Sequence, residues 1–382
     1  MPELYIGLIS GTSRDGVEAV LATRGGPLGW QVHAHLRFTY PESVAADLAR
    51  LTVAEHGQFQ ELGQLDAAIG EVFADAALAL LREAGLEPGA VRAIGSHGQT
   101  LHHAPTAGPP FSWQIGDPFR IAERTGIDTV AMFRQRDIAA GGEGAPLACA
   151  LHAACFSDAT LTRAVVNIGG ISNITWLRPG QPVLGYDCGP GNTLLDAWIR
   201  ELKGLPFDDR GQWAAQGKVR VELLRTLRSD PFFALKPPKT TGPEYFSLGW
   251  LEDRLLTVSD IGDDVDVQAT LTAFTAGVVA DAVLHEHPDG RSCEVLVCGG
   301  GVRNAELMRR LRERLGDIPV AETGELGLPA EQVEAAAFAW LARQTIHGQA
   351  GNVPAVTGAA GPRILGCIIP GARPVPDAIA AA

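Results

Sequence analysis

The sequence predicts an α/β protein with two domains of related design. A chain of 382 residues is longer than one ordinary hydrophobic core requires, so two domains are the default expectation. A β-type run, a turn of small residues and a second β-type run occupy residues 5–22, and the same pattern returns at 165–175, about 160 residues later. A strand followed by glycines and a helix, at 294–315, has the pattern of a nucleotide-binding α/β unit.

Composition narrows the class of protein and its partners. A hydrophobic fraction of 46% with 20% charged residues is typical of a globular protein, and the net charge of −13 argues against nucleic acid or anionic membranes as partners. No uninterrupted apolar run reaches the roughly 18 residues of a membrane span. The first residues lack the basic region of a signal peptide. We therefore expect a cytoplasmic protein without a membrane partner.

Cysteine and histidine spacing predicts neither a disulfide framework nor a metal-binding residue set. The six cysteines are scattered without a C-x-x-C pair, which is typical of reduced thiols. The ten histidines include His102 and His103 but show no H-E-x-x-H or other ligand spacing.

The first β-turn-β pattern is a candidate phosphate site. Backbone N–H groups and hydroxyls of such a turn can surround phosphate oxygens, although no Walker A motif is present. As an isolated hairpin turn the signal is weak. The candidate residues are Gly11, Thr12, Ser13, Arg14, Asp15, Gly16, Val17 and Glu18.

An amphipathic helix is predicted at 61–84, ended by Gly85, and a strand at 91–95 follows it. His97 lies on the loop after that strand, where it either faces a cleft or is a buried, satisfied histidine. Ser96 and His97 point to opposite faces of an extended backbone, so a Ser–His catalytic pair is not expected. Arg134 and Arg136 could bind a carboxylate or phosphate, or form ordinary surface ion pairs.

The second β-turn-β pattern contains the candidate phosphate residues Asn167, Gly169 and Gly170. Asp187 follows it, after an apolar run and before a glycine turn, with Asn192 as the predicted N-cap of the next helix. A carboxylate held on such a turn suits a general base, and the plainer alternative is an aspartate that only caps the turn.

The glycines after the strand at 294–298 are Gly299, Gly300 and Gly301, and a helix at 305–315 follows them. The pattern G-x-G-x-x-N misses the dinucleotide fingerprint at its last position, and no acidic residue ends a strand about 20 residues later, which argues against NAD. Between the two regions, 237–243 is a rigid loop with one cation, and 268–287 is a long helix. An alanine-rich helix at 328–344 carries Glu334.

Together these stretches resemble the anhydro-N-acetylmuramic acid kinase family, within the actin/hexokinase/Hsp70-like ATPase superfold. The resemblance extends over nearly the whole chain, in order and at fitting intervals. The matching pieces are GTSRDGVE (11–18), SHGQT (96–100), QIGDP (114–118), DIAAGGEGAP (137–146), NIGGISNIT (167–175), DCGPGN (187–192), PPKTTG (237–242) and CGGGVRN (298–304).

The resemblance implies two actin-like ATPase (ribonuclease H-like) α/β domains with an interdomain cleft. The first would cover 1–140, completed by the segment from about 345 to 382, and the second 141–344. ATP with Mg²⁺ would be bound by the hairpins at 11–18 and 167–175, with adenosine near 299–301. The substrate would be anhydro-N-acetylmuramic acid, an anhydro amino sugar whose 1,6-anhydro ring is opened by water and phosphorylated on O6. The product, N-acetylmuramic acid 6-phosphate, belongs to cell-wall sugar recycling.

The resemblance also implies roles for single residues. Asp187 matches the family's general base, Glu334 a glutamate associated with the sugar pocket, and His97 and Arg134 pocket-lining positions. Five positions depart from the family's usual residues, and they bear on substrate preference more than on the ATPase apparatus. They are Arg14 for Met, Glu18 for Asp, Glu143 for Gln, Cys188 for Thr and Pro243 for Arg.

Two alternatives remain at this stage. One is a kinase of another anhydrosugar, such as levoglucosan, and the other is a non-catalytic ATP-binding regulator of the same superfold. An NAD-dependent enzyme is a distant third. A homodimer stays open.

Overall fold

The structure, a computed structural model, describes residues 2–11, 14–52, 59–287 and 292–373. It consists of two compact units. Unit 1 comprises Met1–Gly144, Glu334–Asn352 and Ala359–Ala382, and unit 2 comprises Ala145–Val333 and Val353–Gly358.

Strands and helices alternate along the chain. The strands are β1 (Leu4–Ser10), β2 (Gly16–Thr23), β3 (Gln31–Thr39), β4 (Val91–Ala104), β5 (Phe111–Ile115), β6 (Thr129–Ala131), β7 (Thr162–Ile168), β8 (Ile171–Leu177), β9 (Leu184–Pro190), β10 (Cys293–Cys298), β11 (Val320–Glu322) and β12 (Cys367–Ile369). The helices are α1 (Glu42–Thr52), α2 (Phe59–Ala84), α3 (Pro118–Thr125), α4 (Phe133–Ala139), α5 (Cys149–Phe156), α6 (Thr193–Lys203), α7 (Val221–Arg228), α8 (Leu248–Leu255), α9 (Asp264–Glu286), α10 (Ala305–Leu315), α11 (Val333–Ile346) and α12 (Pro354–Thr357).

Each unit has its own sheet, and the two sheets share one plan. In unit 1 the order is β12-β6-β4-β1-β2-β3, with β5 paired to β4. In unit 2 it is β11-β10-β7-β8-β9. In both, the first three strands in sequence are antiparallel neighbours. Two later strands, β4 and β6 in unit 1 and β10 and β11 in unit 2, follow on the other side of the first strand and run parallel to it. The predicted fold class is confirmed as a mixed α/β chain with two sheets, and the repeated hairpin is the start of a repeated sheet.

The unit 1 sheet is covered by two helices of different character. α2 buries the stripe that the sequence pattern predicts, including Ile69 and Phe73, against β1, β2 and β4. α11 instead brings its backbone onto the sheet, because a Cβ on Gly7 or Gly95 would overlap the carbonyl oxygens of Ala335 and Phe338. Glycine at both positions permits this close approach.

The unit 2 sheet buries one face against α9 and α10. Val166, Ile174 and Tyr186 lie on that face. The residues between them along each strand point to the other face, which is more polar. α9 is the one helix among the described residues with the length and hydropathy of a membrane span, but most of it is buried inside unit 2. Its apolar character is thereby explained by core packing.

Three details differ from the sequence prediction. β4 continues to Ala104, so His97 lies within a strand and not on a loop after one. β9 continues to Pro190, so Asp187 also lies within a strand rather than in the glycine turn. Unit 1 ends at Gly144 and resumes at Glu334, where the sequence predicted 140 and about 345, and the short segment Val353–Gly358 returns to unit 2. The boundary at Glu334 reflects the packing of α11 on β1 and β4 of unit 1.

Candidate active site

Asp187 is held by two contacts with the segment between α7 and α8. Its carboxylate oxygen Oδ2 accepts a 2.9 Å hydrogen bond from the backbone N–H of Thr241, and its own N–H donates to the carbonyl oxygen of Lys239 at 3.1 Å. The residue is only 6% exposed. These contacts fix the direction of the carboxylate, which a general base requires.

The strand register places Asp187 in a polar row. Asn167 on β7 pairs with Asn173 on β8, and Asn173 pairs with Asp187 on β9. Directly paired residues of neighbouring antiparallel strands point to the same face of a sheet. The opposite face carries the apolar neighbours Tyr186 and Cys188, which belong to the core. The alternation of β9 thus separates the candidate base from the core.

The second hairpin turn is bonded to the start of α6. The carbonyl oxygens of Gly169 and Gly170 accept hydrogen bonds from the N–H groups of Asn192, Gly191 and Thr193 at 2.8–3.1 Å. Asn192 occupies the predicted N-cap position, but its side chain donates to the Ile168 carbonyl instead of capping the helix. The turn is therefore rigidly placed beside the helix N-terminus that follows Asp187.

The third glycine segment meets the second hairpin in the same unit. β10 lies parallel to β7 with Cys298 opposite Asn167, so Gly299 and Gly301 come directly against Asn167 and Ile168. Gly300 is exposed, and a Cβ there would meet nothing within 4 Å among the described residues. Open space beside glycine backbone at the carboxyl end of parallel strands suits a nucleotide.

The first hairpin occupies the corresponding place in unit 1. Gly11 follows β1, and its carbonyl accepts a bond from Gln99 Nε2 at 3.3 Å, so the SHGQT stretch meets this turn. A Cβ on Gly11 would have no described atom within 4 Å, whereas one on Gly16 would overlap the Phe38 carbonyl. Thr12 and Ser13 lie outside the described residues.

The remaining hairpin residues have separate environments. Arg14 has a left-handed backbone (φ 56°) and donates to Thr52 Oγ1 at 2.7 Å. Arg37 pairs with Asp15 and, at 3.5 Å, with Glu18. Glu18 also contacts His35 Nε2 at 2.6 Å. The Val17 side chain is fully buried in the core, which leaves its backbone as the part available to a ligand.

His97 and Arg134 lie together in unit 1. Arg134 Nε donates to His97 Nε2 at 3.0 Å, Arg134 Nη1 donates to the Gly144 carbonyl at 2.7 Å, and His97 Nδ1 donates to the Gly98 carbonyl at 3.0 Å. Burial and the adjacent guanidinium hold the pKa of His97 well below its usual range. His97 is therefore neutral and fixes the direction of Arg134.

Glu334 lies in the first turn of α11, the helix that packs on His97. The ring of Phe338 on α11 lies 4.6 Å from the His97 ring, centroid to centroid. Glu334 is four residues earlier on the same helix face, within its first turn. The structure therefore brings the three unit 1 candidates to neighbouring positions of β4, α4 and α11.

Sequence reasoning missed several residues that hold these groups. Thr241 contacts Asp187 through its backbone, and backbone contacts leave no residue-type signal. Asp137 is buried and accepts hydrogen bonds from Asn352 Nδ2 and the Gly144 N–H, both at 2.8 Å. This buried carboxylate fixes the loop whose carbonyl receives Arg134. An aspartate followed by a glycine-rich run was the available signal.

No group of three or more His, Cys, Asp or Glu side chains in residues 2–11, 14–52, 59–287 and 292–373 is arranged to hold a metal ion.

Comparison with known proteins identifies the class of this α/β protein as a phosphotransferase. The sequence model of the family "Anhydro-N-acetylmuramic acid kinase" matches residues 3–371. The protein of that name from Xanthomonas campestris pv. campestris (strain 8004) is 48% identical over 379 residues, covering 96% of this chain and 97% of its own length. The one from Cupriavidus pinatubonensis (strain JMP 134 / LMG 1197) is 48% identical over 372 residues, covering 96% and 98%. The chain belongs to the anhydro-N-acetylmuramic acid kinase family, whose kinase activity implies ATP and a small sugar as substrates.

Solved structures show looser likeness. Component A of the Acidaminococcus fermentans (R)-2-hydroxyglutaryl-CoA dehydratase aligns with a TM-score of 0.47 at 13% identity, covering 88% of this chain and 96% of its own. A ROK family glucokinase from Streptomyces griseus aligns with a TM-score of 0.39 at 14% identity, covering 89% and 99%.

Proposed function

We propose that this kinase opens the 1,6-anhydro ring of anhydro-N-acetylmuramic acid with water and phosphorylates O6, giving N-acetylmuramic acid 6-phosphate for cytoplasmic recycling of cell-wall sugar. The observation that carries the proposal is the fixed, buried carboxylate of Asp187 on β9. The residues directly after β9 donate hydrogen bonds to the carbonyl oxygens of Gly169 and Gly170. The presence of this carboxylate favours an enzyme over a regulator that only binds ATP.

The reaction needs one base and no separate acid. Asp187 takes one proton from water, the water oxygen bonds to C1, and the bond between C1 and O6 breaks. O6 then takes the γ-phosphoryl group and ADP leaves, so the charge that develops on O6 is captured by phosphorus. Mg²⁺ would offset the phosphate charge. Glycine backbone at Gly11, Gly169 and Gly300 would let the phosphates and the nucleoside approach closely.

Arg134 favours the muramyl sugar over levoglucosan. The muramyl substrate carries a lactyl carboxylate, and a guanidinium is the side chain best suited to bind one. Gly144 and His97 hold Arg134 in one direction, which lowers the entropy lost on binding. His97 and Glu334 remain proposed sugar residues on the strength of the family resemblance.

The decisive experiment traces where the oxygen atom of the attacking water is found in the product. Turnover in ¹⁸O-water should place one labelled oxygen at C1 of the 6-phosphorylated product and none in its phosphate. The product must be analysed promptly, because a free anomeric hydroxyl slowly exchanges with solvent. Label in the phosphate would mean that water attacked phosphorus, and efficient phosphorylation of a sugar with a free O6 hydroxyl would indicate an ordinary sugar kinase.

Replacement of the base gives the second test. Asp187→Asn should lower kcat by roughly 10²–10⁴-fold while the affinity for an ATP analogue stays nearly constant. Asp253→Asn, at an exposed position of α8, is the matched control and should retain full activity. A variant at 187 that keeps more than half of the wild-type kcat contradicts the role.

A further inference from the structure

Asn173 lies directly opposite Asp187 and has an unsatisfied oxygen. Its side-chain Oδ1 is buried, and no residue that the structure describes donates a hydrogen bond to it. A buried acceptor without a donor is costly, so such atoms in native proteins call for an explanation. Asn173 is the direct cross-strand partner of Asp187, and in such pairs the Cβ atoms are about 4.5–5.5 Å apart.

The next polar residue on the same strand face shows that the fold can satisfy such a group. Thr175 is two residues beyond Asn173 and points the same way. Its hydroxyl is in contact with Cys149 Sγ at 3.0 Å and His152 Nδ1 at 2.8 Å, both from α5. α5 therefore covers Thr175, and no described residue provides the equivalent for Asn173 Oδ1.

A β-bulge lies beside this pair. Ser172 pairs with Gly189 and Asn173 with Asp187, so Cys188 is an extra residue in β9. Bulges next to active sites re-aim side chains. Asp187 and Cys188 face opposite sides of the sheet by ordinary alternation, and the bulge shifts the pairing from Gly189 onward.

From this geometry we infer that Asn173 is a water-positioning residue: its Oδ1 accepts a hydrogen bond from the same water molecule that Asp187 deprotonates. The inference rests on the proposed function. A water nucleophile has two hydrogens. If only the base held it, the molecule could rotate about that single hydrogen bond, and its lone pair would point at C1 for only part of the time.

The atoms balance with both residues in place. One water proton passes to Asp187, and the other stays on the oxygen, hydrogen-bonded to Asn173 Oδ1 throughout. The oxygen bonds to C1, O6 leaves C1 and takes the γ-phosphoryl group, and the retained proton becomes that of the C1 hydroxyl. Asn173 changes neither charge nor protonation, since it only orients the attack.

The test compares three variants for kcat, for affinity to a non-hydrolysable ATP analogue by calorimetry, and for the pH dependence of kcat. Asn173→Ala should lower kcat at least tenfold and leave the analogue's affinity within twofold. Asn173→Asp restores an acceptor but places a like charge opposite the base, which raises the apparent pKa of the pair. In Asn173→Asp, the acidic limb of the plot of kcat against pH should move to higher pH by about one unit or more. Gln268→Ala is the matched control, because both polar side-chain atoms of Gln268 are also buried without a described partner, but the residue lies on α9 and not on the hairpin or on β9.

The outcomes separate this inference from the proposed function. If wild-type protein does not put ¹⁸O at C1, the proposed function fails and the inference fails with it. If wild type does so, Asn173→Ala with more than half of the wild-type kcat overturns the inference alone. A matching loss of nucleotide affinity in that variant would make Asn173 a nucleotide or magnesium residue, which also overturns it. An unmoved acidic limb in Asn173→Asp would show that residue 173 does not face the base, with the same consequence.

Discussion

His97 shows how a histidine can belong to a site without transferring a proton. Both ring nitrogens have backbone or guanidinium partners, and burial keeps the ring neutral at physiological pH. Its contribution is the direction of Arg134. Asp187 is the contrasting case, because its backbone partners fix a carboxylate that keeps its capacity to accept a proton.

At the scale of one residue, Gly11→Val tests the first phosphate hairpin. No described atom lies within 4 Å of the new Cβ, so the fold should tolerate valine, whereas a phosphate approaching the backbone should not. We expect at least tenfold weaker binding of a non-hydrolysable ATP analogue by calorimetry, or about 1.4 kcal/mol, with an unchanged unfolding temperature.

Gly63→Val provides the control for this variant. Gly63 is exposed on α2 of the same unit and is equally open, so valine there should not alter nucleotide affinity. Wild-type affinity in Gly11→Val would place the phosphates elsewhere.

At the scale of elements, β4 and α11 approach each other so closely that only a glycine fits between their backbones at Gly95. Gly95→Ala would drive a methyl group into the Phe338 carbonyl of α11. Overpacking of this kind costs about 1–3 kcal/mol and sometimes more. We therefore expect Gly95→Ala to lower the free energy of unfolding of unit 1, measured with urea, by at least about 1 kcal/mol.

Gly63→Ala is the matched substitution, because it adds the same methyl group to an open, exposed position of α2. There alanine should raise stability by up to about 1 kcal/mol, since glycine is the poorer helix former. Equal stability of wild type and Gly95→Ala would mean that α11 can move away from β4 at no cost.

Elements were also the scale at which the sequence was most informative. The stripe of α2, the two hairpins and the strand before Gly299 follow from periodicity and turn chemistry, which are local properties. The extension of β4 through His97 was not predictable, because Ser96-His97-Gly98 has weak strand preference and pairing with β1 and β5 overrides it.

The spatial arrangement of the site was harder to predict from the sequence than the residues that form it. Asp187, Asn167 and Gly299 could be selected from the sequence, but their common edge depends on which strands are neighbours. Asn173 lies in the NIGGISNIT stretch, but its relation to Asp187 was not predictable, because it arises from register and from the lack of a described donor to its oxygen. Both are properties of the assembled sheet.

At the scale of the whole molecule, buried neutral histidines couple stability to pH. Burial lowers the pKa of His152 in unit 2 to about 3 and that of His103 in unit 1 to about 3, and it also lowers that of His97. The unfolded chain binds these protons below about pH 6.5 and the folded units do not. The free energy of unfolding is therefore undiminished by these histidines above that pH, and it falls as the pH decreases below it.

Below about pH 6.5, one such histidine should lower the free energy of unfolding by about 1.4 kcal/mol for each unit by which the pH falls. Urea unfolding of unit 2 at pH 6.0, 5.0 and 4.5 should show this loss in wild type. His152→Gln removes the proton and should flatten the slope by that amount, measured against wild type at each pH. Parallel pH profiles of the two proteins would show that His152 protonates in the folded state.

The discontinuity of unit 1 has a consequence for biosynthesis. Chains usually complete their domains from the N-terminus as they leave the ribosome. Here β1 and β4 emerge early, but the helix that packs on their glycines is made after nearly all of unit 2. The sheet of unit 1, although it is translated first, therefore lacks α11 on one face until nearly all of unit 2 has been synthesised. Nascent chains arrested before residue 334 should need chaperones for their oldest part, not their newest.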